Sequence, residues 1–132
     1  MGLKVAQVMT RPVIATTRQA SVQDVTAQLV RGGMSGLPVA DRDGKVVGIV
    51  TEHDIVEAVL GGKRLGDIRA EDIMQTDPVT VDLDADLEEA LQLFKAHRIV
   101  RVPVTEKGKL VGILARTDAL RGILEEPEFL VF

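Results

Sequence analysis

The sequence predicts an α+β fold: two β-α-β-β-α repeats packed sheet to sheet about a pseudo-two-fold axis. Three observations carry this. First, the chain matches itself. Pro12-Val13 returns as Pro78-Val79, and Pro38-Val39 as Pro103-Val104, while Gly44, Gly48 and Asp54 return as Gly108, Gly112 and Asp118. Four of the five prolines belong to these matches, and the separation between copies hardly changes along the way. Self-similarity at a fixed period marks a tandem duplication. Second, strand-like and helix-like apolar patterns alternate in the same order in both halves. Third, 45% of the 132 residues are hydrophobic but only 2% aromatic, so the core is aliphatic. Units this small bury a sheet face best against each other, which leads us to expect one shared core with a cleft at the seam. The expected organisation is repeat 1 at 5–60, a connection at 61–69, repeat 2 at 70–124 and an apolar tail at 125–132, all in one integrated module.

In repeat 1, Val5-Ala6-Gln7-Val8-Met9 reads as a lead-in turn of helix. Val13-Ile14-Ala15 reads as a short strand. Ser21 is placed to cap the next helix, with Asp24 in the reciprocal position. Val22, Val25 and Leu29 share one face of that helix. Gly32-Gly33 ends it. Residues 37–40 form a strand, Asp41-Arg42-Asp43-Gly44 a turn, and residues 45–50 a second strand. Thr51 opens a second helix carrying Ile55, Val56, Val59 and Leu60.

Repeat 2 follows suit. Glu71-Asp72-Ile73-Met74 parallels the first lead-in, and Val79-Thr80-Val81 is the first strand. Asp86 caps a helix with Leu87, Ala90, Leu91 and Phe94 on one face and Glu89 in the capping-box position. Strands at 101–105 and 109–114 flank the turn Glu106-Lys107-Gly108. A last helix runs to about Leu124. The tail holds Phe129-Leu130-Val131-Phe132, and its deletion is expected to weaken dimerisation or stability.

Composition excludes several functions. There is no cysteine and there are two histidines, His53 and His97, so neither a disulfide framework nor a thiolate or histidine-rich metal site is available. The acidic run Asp82, Asp84, Asp86, Glu88 and Glu89 reads as a solvated turn and helix start. Net charge is −4, the wrong sign for a dedicated nucleic-acid binder. It is unevenly spread, at +2 over residues 1–66 and −6 over residues 67–132. No window approaches the roughly 20 apolar residues of a membrane span, and the N-terminus does not read as a secretory signal. We therefore expect a cytoplasmic protein without membrane or nucleic-acid partners. No set of nucleophile, base and oxyanion donors suggests an enzyme.

The chemistry concentrates in Gly48-Ile49-Val50-Thr51-Glu52-His53-Asp54 and its second copy, Gly112-Ile113-Leu114-Ala115-Arg116-Thr117-Asp118. Each is a strand running into a helix. An ionised aspartate accepts from two neighbouring hydroxyls, as a ribose diol presents. Thr51 stands where free N–H groups and the helix dipole favour an anion. Both roles have a plain structural alternative, since aspartate and threonine also cap helices. Gly48 leaves room for close packing where a Cβ would crowd the strand.

This pattern resembles the CBS domain, named from cystathionine β-synthase. It runs Pro-Val-x-apolar, then a capped helix, apolar-Pro-Val, a turn glycine and Gly-apolar-apolar-Thr-x-x-Asp. Two copies in register resemble a stand-alone CBS pair, or Bateman module. The resemblance implies a regulatory module sensing AMP, ADP, ATP or S-adenosylmethionine in the cleft between repeats, with no required cofactor. It also implies a homodimer and a regulated protein partner, and the alternative is a protein-interaction scaffold with empty clefts. Carried over residue by residue, the first site holds Ile49, Thr51, Asp54, Val79, Thr80 and Arg101, the last as a phosphate ligand. The second and weaker site holds Val13, Ile14, Ile113 and Asp118. It has Ala115 in place of threonine, and Arg116 and Thr117 are expected to compensate.

Overall fold

A computed structural model describes residues 2–126. The expected contribution of Phe129 to Phe132 lies outside the described residues. The chain divides into two compact units. One is Ile14–Pro78; the other joins the segment up to Val13 to everything from Val79 onward. Each repeat's lead-in is thus packed with the other repeat.

The Ile14–Pro78 unit contains α2 (Val22–Gly32), β1 (Gly36–Ala40), β2 (Val46–Thr51), α3 (Glu52–Leu60), a 3₁₀ turn at Leu65–Asp67, α4 (Ala70–Ile73) and β3 (Gln75–Thr76). Its sheet runs β1-β2-β3, antiparallel throughout, and Thr16 adds a parallel bridge to Val39 at the outer edge. The other unit contains α1 (Val5–Val8), β4 (Val81–Asp82), α5 (Leu87–His97), β5 (Arg101–Glu106), β6 (Lys109–Ala115) and α6 (Arg116–Glu125). Its order is β4-β5-β6, with β4 parallel to β5, and Thr10 bridges Ile113 beyond β6. The two sheets therefore share one plan: a parallel edge, a central hairpin and a lead-in on the far edge.

Buried side chains form one cluster in each unit. Val22, Val25, Leu29, Leu37, Val39 and Val50 anchor one; Leu87, Phe94, Val102, Val104 and Leu114 anchor the other. In each unit helices and a lead-in turn cover a sheet face. The helix faces read from the spacing of Val22, Val25 and Leu29, and of Leu87, Ala90 and Phe94, are the buried ones.

Three expectations are corrected. Val13-Ile14-Ala15 and Val79-Thr80 are not strands; regular pairing starts at Thr16 and Val81, whose partners Val39 and Val104 are related by the repeat. In α3 only Ile55 and Ala58 turn inward, while Val56, Val59 and Leu60 face outward. Asp86 makes no side-chain cap, and Glu89 forms no capping box with it. Its carboxylate instead accepts from Lys4 Nζ at 2.7 Å. That hydrogen bond draws the Asp86 carboxyl below its ordinary pKa and raises the Lys4 ammonium above its own. Ser21 caps as expected, its Oγ accepting from Asp24 N at 3.1 Å, but Asp24 forms no reciprocal box with it.

Equivalent helices end differently. Gly33 terminates α2 in the left-handed region at φ 61°, whereas Arg98 terminates α5 there at φ 52°. A Cβ is disfavoured in that conformation. Arg98→Gly is expected to stabilise the protein by about 0.5–1 kcal/mol, read as a small rise in thermal midpoint. The equivalent Gly33→Ala should move the midpoint the other way.

Candidate functional site

Each candidate junction starts at a glycine on the central strand. An added Cβ on Gly48 would lie 2.6 Å from Met74 Sδ and 3.0 Å from the Gln75 carbonyl oxygen. On Gly112 it would lie 2.7 Å from Met9 Sδ and 3.1 Å from the Thr10 carbonyl oxygen. The lead-in methionines lie across the glycines, so a side chain at either position displaces a methionine end and presses on a carbonyl. The lead-ins are held by backbone pairing: Ile49 opposite Gln75, Gly48 opposite Thr76, and Thr10 opposite Ile113.

Just inside each helix that follows, the repeated aspartate turns back onto the junction. Asp54 Oδ2 accepts from Thr51 N at 2.8 Å and from Thr51 Oγ1 at 2.9 Å. Asp54 N in turn donates to Thr51 Oγ1 at 3.3 Å. This reciprocal box satisfies N–H groups that the helix leaves free. Gln75 Nε2 completes the shell, 3.2 Å from Oδ1 and 3.3 Å from Oδ2. These donors are all uncharged, and the half-buried carboxylate reaches solvent. Oδ1 receives only the Gln75 amide, which leaves it acceptor capacity.

The second aspartate sits in the same place with different partners. Asp118 Oδ2 accepts from Ala115 N at 3.1 Å and from Thr10 Oγ1 at 3.3 Å, while Oδ1 lies 3.3 Å from Arg121 Nη1. The hydroxyl missing at Ala115 is therefore supplied by Thr10, and the cation by Arg121. Arg116 and Thr117, expected to compensate, are exposed and donate to neither oxygen.

The remaining candidates divide between the units. Ile49, Thr51, Asp54 and Ile14 lie in the Ile14–Pro78 unit; Val13, Val79, Thr80, Arg101, Ile113, Arg116, Thr117 and Asp118 lie in the other. Sequence reasoning grouped Arg101 with Asp54. The ladder sets Arg101 opposite Ala115, beside the Asp118 junction, just as Gly36 stands opposite Thr51. Ile14 is exposed and Val79 half-buried against the core of its unit. Gln75, Thr10 and the two methionines were missed as site residues. Their signal was present, because Met9-Thr10 and Met74-Gln75 have the separation of Pro38 and Pro103, one residue less than that of the neighbouring Pro12 and Pro78. Among the described residues no group of three or more histidine, aspartate or glutamate side chains gathers as a metal site, and no helix is long and apolar enough to cross a membrane.

Known proteins share this arrangement. The family model of the CBS domain matches residues 5–61 and again 70–125. An uncharacterized protein of Bacillus subtilis, YlbB, is 33% identical over 116 residues, covering 87% of this chain and 78% of its own. In larger relatives the matching stretch is a minor part, down to 15% of the relative's length. The crystal structure of CBSX2 in complex with AMP superposes with a TM-score of 0.82 at 28% identity, covering 94% of this chain and 98% of that one. The CBS domain pair of MJ0100, in complex with 5′-methylthioadenosine and S-adenosyl-L-methionine, gives 0.81 at 26% identity, covering 92% and 95%. With two matched repeats spanning most of its length, the chain belongs to the CBS domain family, as a tandem pair.

Proposed function

We propose that this chain is a regulatory module that binds an adenosine-containing ligand and transmits its presence through dimer geometry or a protein partner. The observation that carries the reading is the Asp54 carboxylate. It stands at a strand–helix junction, held in place by Thr51, with Oδ1 engaged only by a neutral amide. A ribose diol offers two O–H donors and would replace that amide without breaking an ion pair. The AMP complex of CBSX2 and the adenosyl complexes of MJ0100 support the ligand class. The family pattern adds Ile49, on the strand that leads into the junction. Catalysis has no part in this reading, and the ligand is a signal rather than a cofactor.

The test is a thermal-shift and calorimetric panel of AMP, ADP, ATP and S-adenosylmethionine. A ligand at a hundred times its Kd stabilises the folded state by about 2.7 kcal/mol, so a true ligand raises the midpoint in proportion to the logarithm of its concentration. We expect at least one member to do so. Asp54→Ala should weaken binding of a ligand held at that junction at least tenfold, the loss of a charge-assisted hydrogen-bond pair. A flat response to the whole panel would favour the scaffold alternative.

A further inference from the structure

The two junctions agree in backbone and disagree in charge. On the opening turns of the following helices, Glu52 corresponds to Arg116 and Glu57 to Arg121, both in phase with the match of Asp54 to Asp118. At the strand end opposite, Gly36 corresponds to Arg101, an equivalence confirmed by their ladder partners Thr51 and Ala115. In the lead-ins, the residue before the matched proline is Asp77 in one copy and Arg11 in the other. Four related positions thus change charge, all in the same sense. Asp54 is accompanied by acidic residues, and the neighbouring His53 is engaged with Glu57 at 3.0 Å. Asp118 is accompanied by arginines, of which only Arg121 is in an ion pair; Arg11, Arg101 and Arg116 have no ion-pair partner among the described residues.

We propose that the pair sorts adenosine-containing ligands by charge: phosphorylated nucleotides at the Asp118 junction, and uncharged or sulfonium-bearing adenosyl compounds at the Asp54 junction. This rests on the functional reading above. An aspartate is common to both junctions, and at Asp118 a diol would take the place of the exposed Arg121, so the aspartate selects for ribose and not for what ribose carries. A nucleotide phosphate brings up to two negative charges. Near Asp118 it meets guanidinium groups suited to bidentate contact. Near Asp54 it meets Glu52 at the same helix start, which repels it and cancels the attraction of the helix dipole. A methylthio or sulfonium group has nothing to offer the arginines, and its charge, where present, suits the acidic junction. Arg101 is the residue on which the difference turns most sharply, because its counterpart Gly36 has no side chain.

Titrations of the full chain with AMP and with 5′-methylthioadenosine decide the matter. The variants are Arg101→Ala, Arg116→Glu and Glu52→Arg, with Asp54→Asn and Asp118→Asn as seat controls. Arg116 and Glu52 are exposed, so their exchange leaves the packing alone. AMP affinity is expected to fall at least tenfold in Arg101→Ala and Arg116→Glu, to fall in Asp118→Asn, and to be unmoved by Asp54→Asn. Glu52→Arg should let AMP bind at the Asp54 junction as well. Affinity for 5′-methylthioadenosine should be lost in Asp54→Asn and be indifferent to both arginine changes. AMP binding should also weaken with added salt, and that of 5′-methylthioadenosine should not. If both compounds bind but depend on the same aspartate, or if AMP ignores the arginines, sorting is overturned while ligand sensing stands. If neither binds the wild type, sorting is overturned, and the functional reading falls with it where ADP, ATP and S-adenosylmethionine give no response either.

Discussion

Gly48→Val is expected to cost about 2 kcal/mol of stability through overpacking, and Gly112→Val the same. Neither glycine has a positive φ, so backbone strain is not the reason. The reason is space. The new side chain meets the lead-in methionine at once, and behind it a backbone carbonyl at 3.0 or 3.1 Å. Met74 and Met9 have flexible ends that can swing aside. The carbonyls of Gln75 and Thr10 cannot yield without opening the pairing of the lead-in to the central strand. Overpacking of this kind typically costs about 1–3 kcal/mol, and at this chain length about 2 kcal/mol lowers the midpoint by roughly 6–10 °C. Alanine should cost less, because it disturbs the movable sulfur more than the carbonyl. Thermal melts of Gly48→Val, Met74→Ala and the double variant would separate the two contributions. Partial rescue by Met74→Ala identifies the sulfur as the first obstacle. If Gly48→Val melts with the wild type, the close approach is not what keeps glycine there.

Much of this structure was legible because the duplication was. Matched prolines, turn glycines and aspartates fixed the order of elements, and helical spacing found the buried stripes of α2 and α5. The failures have separate physical causes. A repeat shows that two lead-ins are equivalent but not which unit each joins, so the placement of Met9-Thr10 against β6 and Met74-Gln75 against β2 could not be read. Asp86 has the right type and position for a cap, but Lys4, 82 residues away in sequence, takes its carboxylate. Ala115 looked like a loss of function in the second motif because Thr10 Oγ1, 108 residues from Asp118, was invisible as its replacement donor. In α3 apolar residues occur nearly all round, and periodicity cannot tell a face turned to its own sheet from one turned to another molecule.

That outward face carries the second large prediction: the chain should dimerise through it, and Leu60→Glu together with Leu124→Glu should leave monomers without unfolding either unit. Leu60 and Val56 on α3 are 82% and 53% exposed, and their repeat partners Leu124 and Leu120 on α6 are 65% and 60% exposed. Both units therefore present the same two aliphatic positions to solvent. A groove of about 460 Å³ beside α3, lined by Val30, Met34, Ile55 and Val56 among others, extends the apolar surface in one unit. In the other unit the position of Val30 is taken by Lys95, so the faces differ in how much they can bury. We expect a second copy of the chain to cover them, since a two-fold interface uses each residue twice and needs a self-complementary surface. Burying a leucine contributes about 1.5–3 kcal/mol. With both positions counted on both chains, the double variant should lose about 6 kcal/mol or more, some four decades in dimer dissociation constant. Sedimentation or light scattering across a concentration series reads this directly. The monomer should keep its secondary structure, because the inward residues Ile55, Ala58 and Ala119 are untouched. Its midpoint should lose the concentration dependence that a dimer imposes. A double variant that stays dimeric at every concentration would show that the subunits meet elsewhere, and the outward leucines would need another partner.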